Sequence, residues 1–232
     1  MTESRAQLTI AFLLFPQVTQ LDLTGPAQVL SRIGDVTIHL VAASMAPVPT
    51  DAQFALLPTA TFADVPRADI LCVPGGFGTV AAMEDAATLD WVRRVGGEAA
   101  WVTSVCTGSL VLAAAGLLTG YRAACHWASR HQLAWFGAEP DPARVVFDRN
   151  RVTGGGVTAG IDFALALVAA LRGEDHARLV QLSLEYDPAP PFDSGSPDTA
   201  DKATLARYHA MVERAVPGRE AKVRAIAERA RA

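Results

Sequence analysis

The sequence predicts a doubly wound α/β fold, a mostly parallel sheet with helices on both faces. Three observations carry this. Short apolar runs recur that are continuous rather than alternating, as strands buried on both sides require. Helical patterns separate those runs, the order that builds parallel sheets. The chain has 232 residues, 50% of them hydrophobic and 19% charged, enough to bury a large core within the span of one domain. The expected organisation is one domain over residues 1–232, with a core of about 8–200 and a helical extension at 201–232.

Leu8 to Phe15 reads as the first strand. A helix over Gly25 to Ser31 follows, with Thr24 placed to cap it and Pro26 early, where a missing N–H costs little. Val36 to Ala42 is the second strand. Residues Ala43 to Asp64, broken by Pro47, Pro49 and Pro58, read as irregular strands or a hairpin beside the main sheet. Strands at Ile70 to Val73 and Trp101 to Val105 are followed by helices at Thr88 to Gly96 and Gly108 to Ala115. Weaker strands at Tyr121 to Ala124, Val145 to Phe147 and Arg151 to Thr153 frame helices at Ala128 to Phe136 and Ala159 to Leu171. After a helix at about Asp175 to Leu184, the segment Asp187 to Pro197 carries Pro188, Pro190, Pro191 and Pro197 and reads as an ordered loop or lid. From Asp198 to Ala232 the Ala/Arg/Glu-rich composition predicts helix interrupted at Pro217 and Gly218.

A net charge of -4 and a pI near 5.7 give no basic footprint for nucleic acid or an anionic membrane. The polar residues Met1 to Gln7 lack a signal-peptide pattern, and the apolar run Leu110 to Leu118 is too short to span a bilayer. Cys72, Cys106 and Cys125 form neither an even disulfide set nor a C-x-x-C pair, which fits a reducing, cytoplasmic compartment. The five histidines are scattered, so no metal is expected. A small-molecule partner fits best.

In parallel sheets ligands sit at the carboxyl ends of the strands. There, Val105-Cys106-Thr107-Gly108 joins a buried strand to an apolar helix through a small-residue turn. Such an elbow projects the cysteine outward and aims helix N–H groups at it, an arrangement that favours a thiolate nucleophile. Cys72, flanked by apolar strand residues, and Cys125 read as packing cysteines. Gly75 and Gly76 end another strand and offer backbone N–H groups to a developing negative charge. Asp22, between two leucines at a strand-to-helix junction, is expected to be partly buried and to exchange a proton with a neighbouring thiol. His126 follows a weak strand and is either a partner of Cys106 or a core histidine satisfied by hydrogen bonds. Gly154-Gly155-Gly156 is not a dinucleotide fingerprint. Close backbone approach or a mobile helix start at Gly155, Gly156 and Val157 is the expectation there.

Taken together, Q-L-D-L-T-G-P (20–26), V-P-G-G-F-G (73–78), T-S-V-C-T-G-S-L-V-L (103–112), T-G-G-G-V-T-A-G-I-D-F-A-L (153–165) and E-Y-D-P-A-P-P-F (185–192) resemble the PfpI/ThiJ-type branch of the class I glutamine amidotransferase-like superfamily. Within it the match is to the enzymes that hydrate isocyanides. The resemblance runs from Leu8 to about Ala200 and is poorest over residues 43–64 and the C-terminal helices. It implies a flavodoxin-like fold and a homodimer that converts an isocyanide (R–N≡C) to an N-substituted formamide without a cofactor. It also implies Cys106 as nucleophile, Asp22 as essential acid and Thr107 as polar neighbour. On that reading the thiolate attacks the isocyanide carbon and a proton routed through Asp22 completes a thioimidate. Water then adds while the Thr107 hydroxyl and the N–H groups of Gly76 and Thr107 hold the tetrahedral species.

The competing expectations share the scaffold. A glyoxalase, deglycase or amidase-like enzyme would work through a Cys106–His126 pair. The ligand-sensing domain of AraC-type regulators is also similar, but only about thirty-five residues follow Pro197, too few for a DNA-reading region. An exposed thiol of low pKa would also suit redox sensing.

Overall fold

The computed structural model describes residues 7–231, so the polar stretch before Gln7 lies outside the described residues. The chain runs through β1 (Leu8–Leu13), α1 (Gln20–Leu30), β2 (Val36–Ala42), β3 (Val48–Pro49), β4 (Ala55–Leu56), β5 (Ala60–Thr61) and β6 (Ile70–Val73). It continues with α2 (Thr79–Glu84), α3 (Ala86–Glu98), β7 (Trp101–Val105), α4 (Gly108–Ala114) and β8 (Arg122–Ala123). A 3₁₀ helix (Arg130–Phe136), β9 (Glu139–Pro140), β10 (Val145–Asp148), β11 (Arg151–Gly154), α5 (Ala159–Arg172), α6 (Glu174–Ser183), α7 (Lys202–Ala215) and α8 (Arg219–Arg231) complete it.

The main sheet has seven strands in the order β10-β11-β7-β6-β1-β2-β5, parallel throughout except for the β10–β11 pair. Its five long parallel strands therefore follow the flavodoxin-like order, which reverses between β1 and β6. Right-handed crossovers then put α1 on one face and α3 with α4 on the other. The register sets Val73 beside Ser104 and Ser104 beside Thr153, so β6, β7 and β11 end nearly level. Beyond those ends lie the Gly75–Gly76 loop, Cys106 and Gly155.

β1, β6 and β7 are largely buried on both faces, with the small polar residues Thr103 and Ser104 of β7 buried as well. α3 begins cleanly because Asp85 accepts the Thr88 N–H at 2.9 Å, a cap of about 1 kcal/mol. α8 buries Val223, Ile226 and Ala227 against α2, α4 and the 3₁₀ helix, whereas α7 buries none of its side chains fully.

Four expectations need correction. α1 begins at Gln20, so Thr24 is inside the helix and donates its hydroxyl to Gln20 Oε1 at 2.8 Å instead of capping. Thr19 holds the cap position without a side-chain hydrogen bond, and Pro26 sits mid-helix, where its ring meets Gly160 of α5. The strand at Tyr121 to Ala124 shrinks to β8 and pairs with β9 outside the main sheet. The helix at Ala128 to Phe136 winds as 3₁₀, closed by Gly137 in the left-handed region. The short α2, directly after the glycine loop, was not anticipated: six residues give too little periodicity to read. The Ala43 to Asp64 region is the expected hairpin, β3 with β4, and β5 extends the main sheet edge.

Candidate active site

Cys106 adopts a left-handed conformation, φ 56°, which costs a non-glycine residue about 1–2 kcal/mol. The surroundings hold it there. Its N–H donates to the Gly154 and Gly155 carbonyls at 3.2 and 2.8 Å, and its carbonyl accepts the His126 N–H at 3.3 Å. Gly108 lets the following helix start against β6, because a Cβ there would lie 2.0 Å from the Val73 carbonyl oxygen. The turn is thus the nucleophile elbow that the sequence suggests, with Cys106 at 5% exposure.

Asp22 comes from the first turn of α1 and is more buried than expected, at 1% exposure. One carboxyl oxygen accepts the Gly75 N–H at 2.9 Å; the other is buried without a hydrogen-bond partner. Burial pushes its pKa up to about 7, opposed by the Gly75 N–H and by the neighbouring Cys106 thiol, with the Asp51 charge adding to the rise. A carboxyl with a pKa near 7 can hold or release a proton near neutral pH.

Burial also raises the Cys106 thiol well above its ordinary range, and the charges of Asp22 and Cys125 push the same way; the Thr107 N–H and the Arg219 guanidinium oppose them. Burial thus works against the thiolate that the elbow is expected to favour, and α4, with only seven residues, offers a short dipole to oppose it. What eases this is a pair: once Asp22 holds the proton, its repulsion of the thiolate vanishes.

The Gly75 and Gly76 N–H groups are not free to hold an oxyanion. Gly75 donates to Asp22, and Gly76 donates to the Thr107 hydroxyl at 3.1 Å. That hydroxyl also meets Thr79 Oγ1 at 2.7 Å, while Thr79 Oγ1 in turn donates to the Gly76 carbonyl at 2.7 Å. Thr107 therefore ties the glycine loop to the elbow with its side chain and keeps its N–H for the sulfur. Gly75 is required sterically, since a Cβ there would lie 2.5 Å from Thr107 N and 3.0 Å from Asp22 Oδ2.

His126 reaches the site as a neutral ring. Burial and then the Arg219 charge lower its pKa to about 4. Nδ1 accepts the Ala128 N–H at 3.3 Å, which leaves the proton on Nε2 as a donor. Gly155 and Gly156 precede α5 with ordinary room for a methyl group, their nearest neighbours at 3.6 and 3.7 Å, so close approach does not explain them. Val157 lines the cavity. Cys72 is buried in β6, accepts the Thr103 hydroxyl at 3.0 Å and has its pKa raised to about 12 by burial; Cys125 is buried and likewise raised.

A cavity of about 220 Å³ opens over Cys106. Thr19, Asp51, Phe77, Tyr208, Met211, Val212 and Arg219 share its wall, and sequence reasoning missed all seven as site residues. Tyr208 stacks on His126, ring centroids 5.8 Å apart, and packs on Trp127 at 4.9 Å.

Residues 8–170 match the model of the DJ-1/PfpI family. The chain belongs to the DJ-1/PfpI family. Among DJ-1/PfpI relatives it is 59% identical over 198 residues to "Isonitrile hydratase" of Pseudomonas putida, covering 85% of this chain and 87% of that protein. A solved structure of a ThiJ/PfpI family protein from Pseudomonas syringae superposes with a TM-score of 0.90 at 46% identity, covering 96% of this chain and 91% of that one. The HTH-type transcriptional regulator CdhR of Pseudomonas aeruginosa is 30% identical over 150 residues, 64% of this chain but 44% of the regulator. The DJ-1/PfpI fold therefore serves both enzymes and regulators among its relatives.

Proposed function

We propose that the chain is an isocyanide hydratase, a hydro-lyase that turns R–N≡C and water into R–NH–CHO. The observation that carries this reading is the buried Asp22 carboxyl, its pKa near 7, beside the Cys106 thiol beneath a small cavity. The 59% identity to the Pseudomonas putida isonitrile hydratase supports it.

In this mechanism the Cys106 sulfur bonds to the terminal isocyanide carbon, and the proton shared with Asp22 moves to that carbon, giving the thioimidate S–CH=N–R. Ionised Asp22 then takes a proton from water as the water oxygen bonds to the same carbon, and passes that proton to the nitrogen. The tetrahedral species collapses to formamide, the C–S bond breaks, and the last proton returns to the Cys106–Asp22 pair. Donors to the developing charge are the Thr107 N–H and His126 Nε2–H, because the Gly75 and Gly76 N–H groups are engaged. We place the enzyme in the cytoplasm as a homodimer; the free state of Cys72, Cys106 and Cys125 suits a reducing compartment.

A carbonyl-directed enzyme working through a Cys106–His126 pair is less well supported, since the His126 pKa near 4 leaves a poor base at neutral pH. The test is formamide formation from p-nitrophenyl isocyanide by the wild type, by Cys106→Ala and by Asp22→Asn. Turnover by the wild type and its loss in both variants is expected. A folded wild type that converts methylglyoxal but no isocyanide would overturn the reading.

A further inference from the structure

The cavity over Cys106 is lined by one cation to which the hydration steps assign no bonding partner. Arg219, the first residue of α8, lines it beside Cys106 and Tyr208. Its Nη2 is buried without a hydrogen-bond partner, and the guanidinium forms no ion pair with any described carboxylate. Asp51 is on the same wall, yet its carboxylate accepts the Thr19 hydroxyl and is not paired with Arg219. A guanidinium with a buried, unused donor is costly, and its planar fork of N–H groups matches a carboxylate.

The chain holds Arg219 in place from both sides. The α7–α8 turn passes through Gly218 at φ 64°, whose N–H donates to Glu213 Oε1 at 2.9 Å. Behind it, Val223, Ile226 and Ala227 fix α8 in the core. The guanidinium charge reaches the reacting group, since it lowers the pKa of both Cys106 and Cys125. The cavity is small, about 220 Å³, below the roughly 300–1,000 Å³ of drug-sized pockets. Any anionic group bound there stays within a few bonds of the carbon that meets the sulfur.

We propose that Arg219 is a specificity-determining residue that recognises a carboxylate on the substrate, so that the site takes small isocyanides carrying a carboxylate close to the isocyano group. The substrate class rests on the hydratase reading; the anion subsite itself does not. In the complex the guanidinium gains the partner it lacks, and Tyr208 and Met211 cover the remaining apolar atoms.

The test compares alkylation of Cys106 by iodoacetate, an anion, and iodoacetamide, its neutral counterpart, followed by mass spectrometry. Wild type, Arg219→Gln and Arg219→Lys are used. Relative to wild type, the iodoacetate-to-iodoacetamide rate ratio should fall roughly tenfold in Arg219→Gln and be largely kept in Arg219→Lys. On the wild type alone, acetate should slow alkylation by iodoacetamide while acetamide does not, a result independent of whether a variant folds. An unchanged ratio in folded Arg219→Gln, or an equal loss with both reagents, would overturn the proposal; the latter would mean that the guanidinium acts on the thiol alone. In parallel, kcat/KM for isocyanoacetate and its methyl ester should diverge in wild type and converge in Arg219→Gln. If no isocyanide is turned over but the alkylation ratio falls, the anion subsite stands and the hydratase reading is what fails.

Discussion

The carboxyl of Asp22 accepts one hydrogen bond from the Gly75 N–H at 2.9 Å, and its other oxygen has no hydrogen-bond partner. The carboxyl is therefore held in position while its charged form is poorly solvated. Because burial raises the pKa from 3.8 to about 7, the folded state binds more protons than the unfolded state between those values. Stability contributed by this group is full below about pH 4 and is lost as pH rises through 7, roughly 4 kcal/mol in all. Asp22→Asn removes the titration and should melt several degrees higher than wild type at pH 8, with the gap closing towards pH 4. Thermal unfolding across that range checks it; a gap that does not vary with pH would contradict the assignment.

Thr107→Val should leave the Gly76 N–H without its acceptor and cut the Thr79 contact. The expected loss is about 1–3 kcal/mol of stability together with a lower kcat. Thr107→Ser keeps the hydroxyl and should restore most of both, measured by urea unfolding and turnover.

Gly75→Ala should displace the elbow, because its methyl group would lie 2.5 Å from Thr107 N. The expected outcome is a fall in kcat of at least about tenfold, corresponding to some 1.4 kcal/mol of transition-state stabilisation. Wild-type kcat in Gly75→Ala would show that Asp22 and Thr107 tolerate the shift.

His126 should titrate near pH 4, so its ring is neutral throughout the working range. Between pH 5 and 8 no inflection in kcat/KM should belong to it. His126→Gln, which keeps an N–H donor, should retain more activity than His126→Ala. Ring NMR through the acid range gives the titration directly.

Much of this architecture is legible in the chain. β2, β6 and β7 are readable to the residue because each is a short run of apolar and β-branched residues between turn signals, and the elbow follows from a cysteine at a strand end before a helix. The start of α1 is hidden because Gln20 and Asp22 interrupt its apolar pattern, and Asp22, which the sequence expects to be partly buried, is almost fully so. The Gly76 N–H looks free in the sequence, since nothing local says that the Thr107 hydroxyl will claim it. Tyr208 and Arg219 carry no local signal at all. They reach Cys106 only because α8 packs across α2 and α4 and brings α7 over the cavity.

The floor and the roof of that cavity answer to different constraints. Cys106, Thr107 and Asp22 are set by buried strand ends and turns, where substitution disturbs the core. The roof residues Tyr208, Met211 and Val212 ride on α7, a helix with no fully buried side chain, anchored by its neighbour. Exchanges along α7 therefore carry little folding penalty. The reactive chemistry can stay frozen while the surface facing the substituent drifts, so lineages of this protein are free to acquire new substrates one exposed helix position at a time.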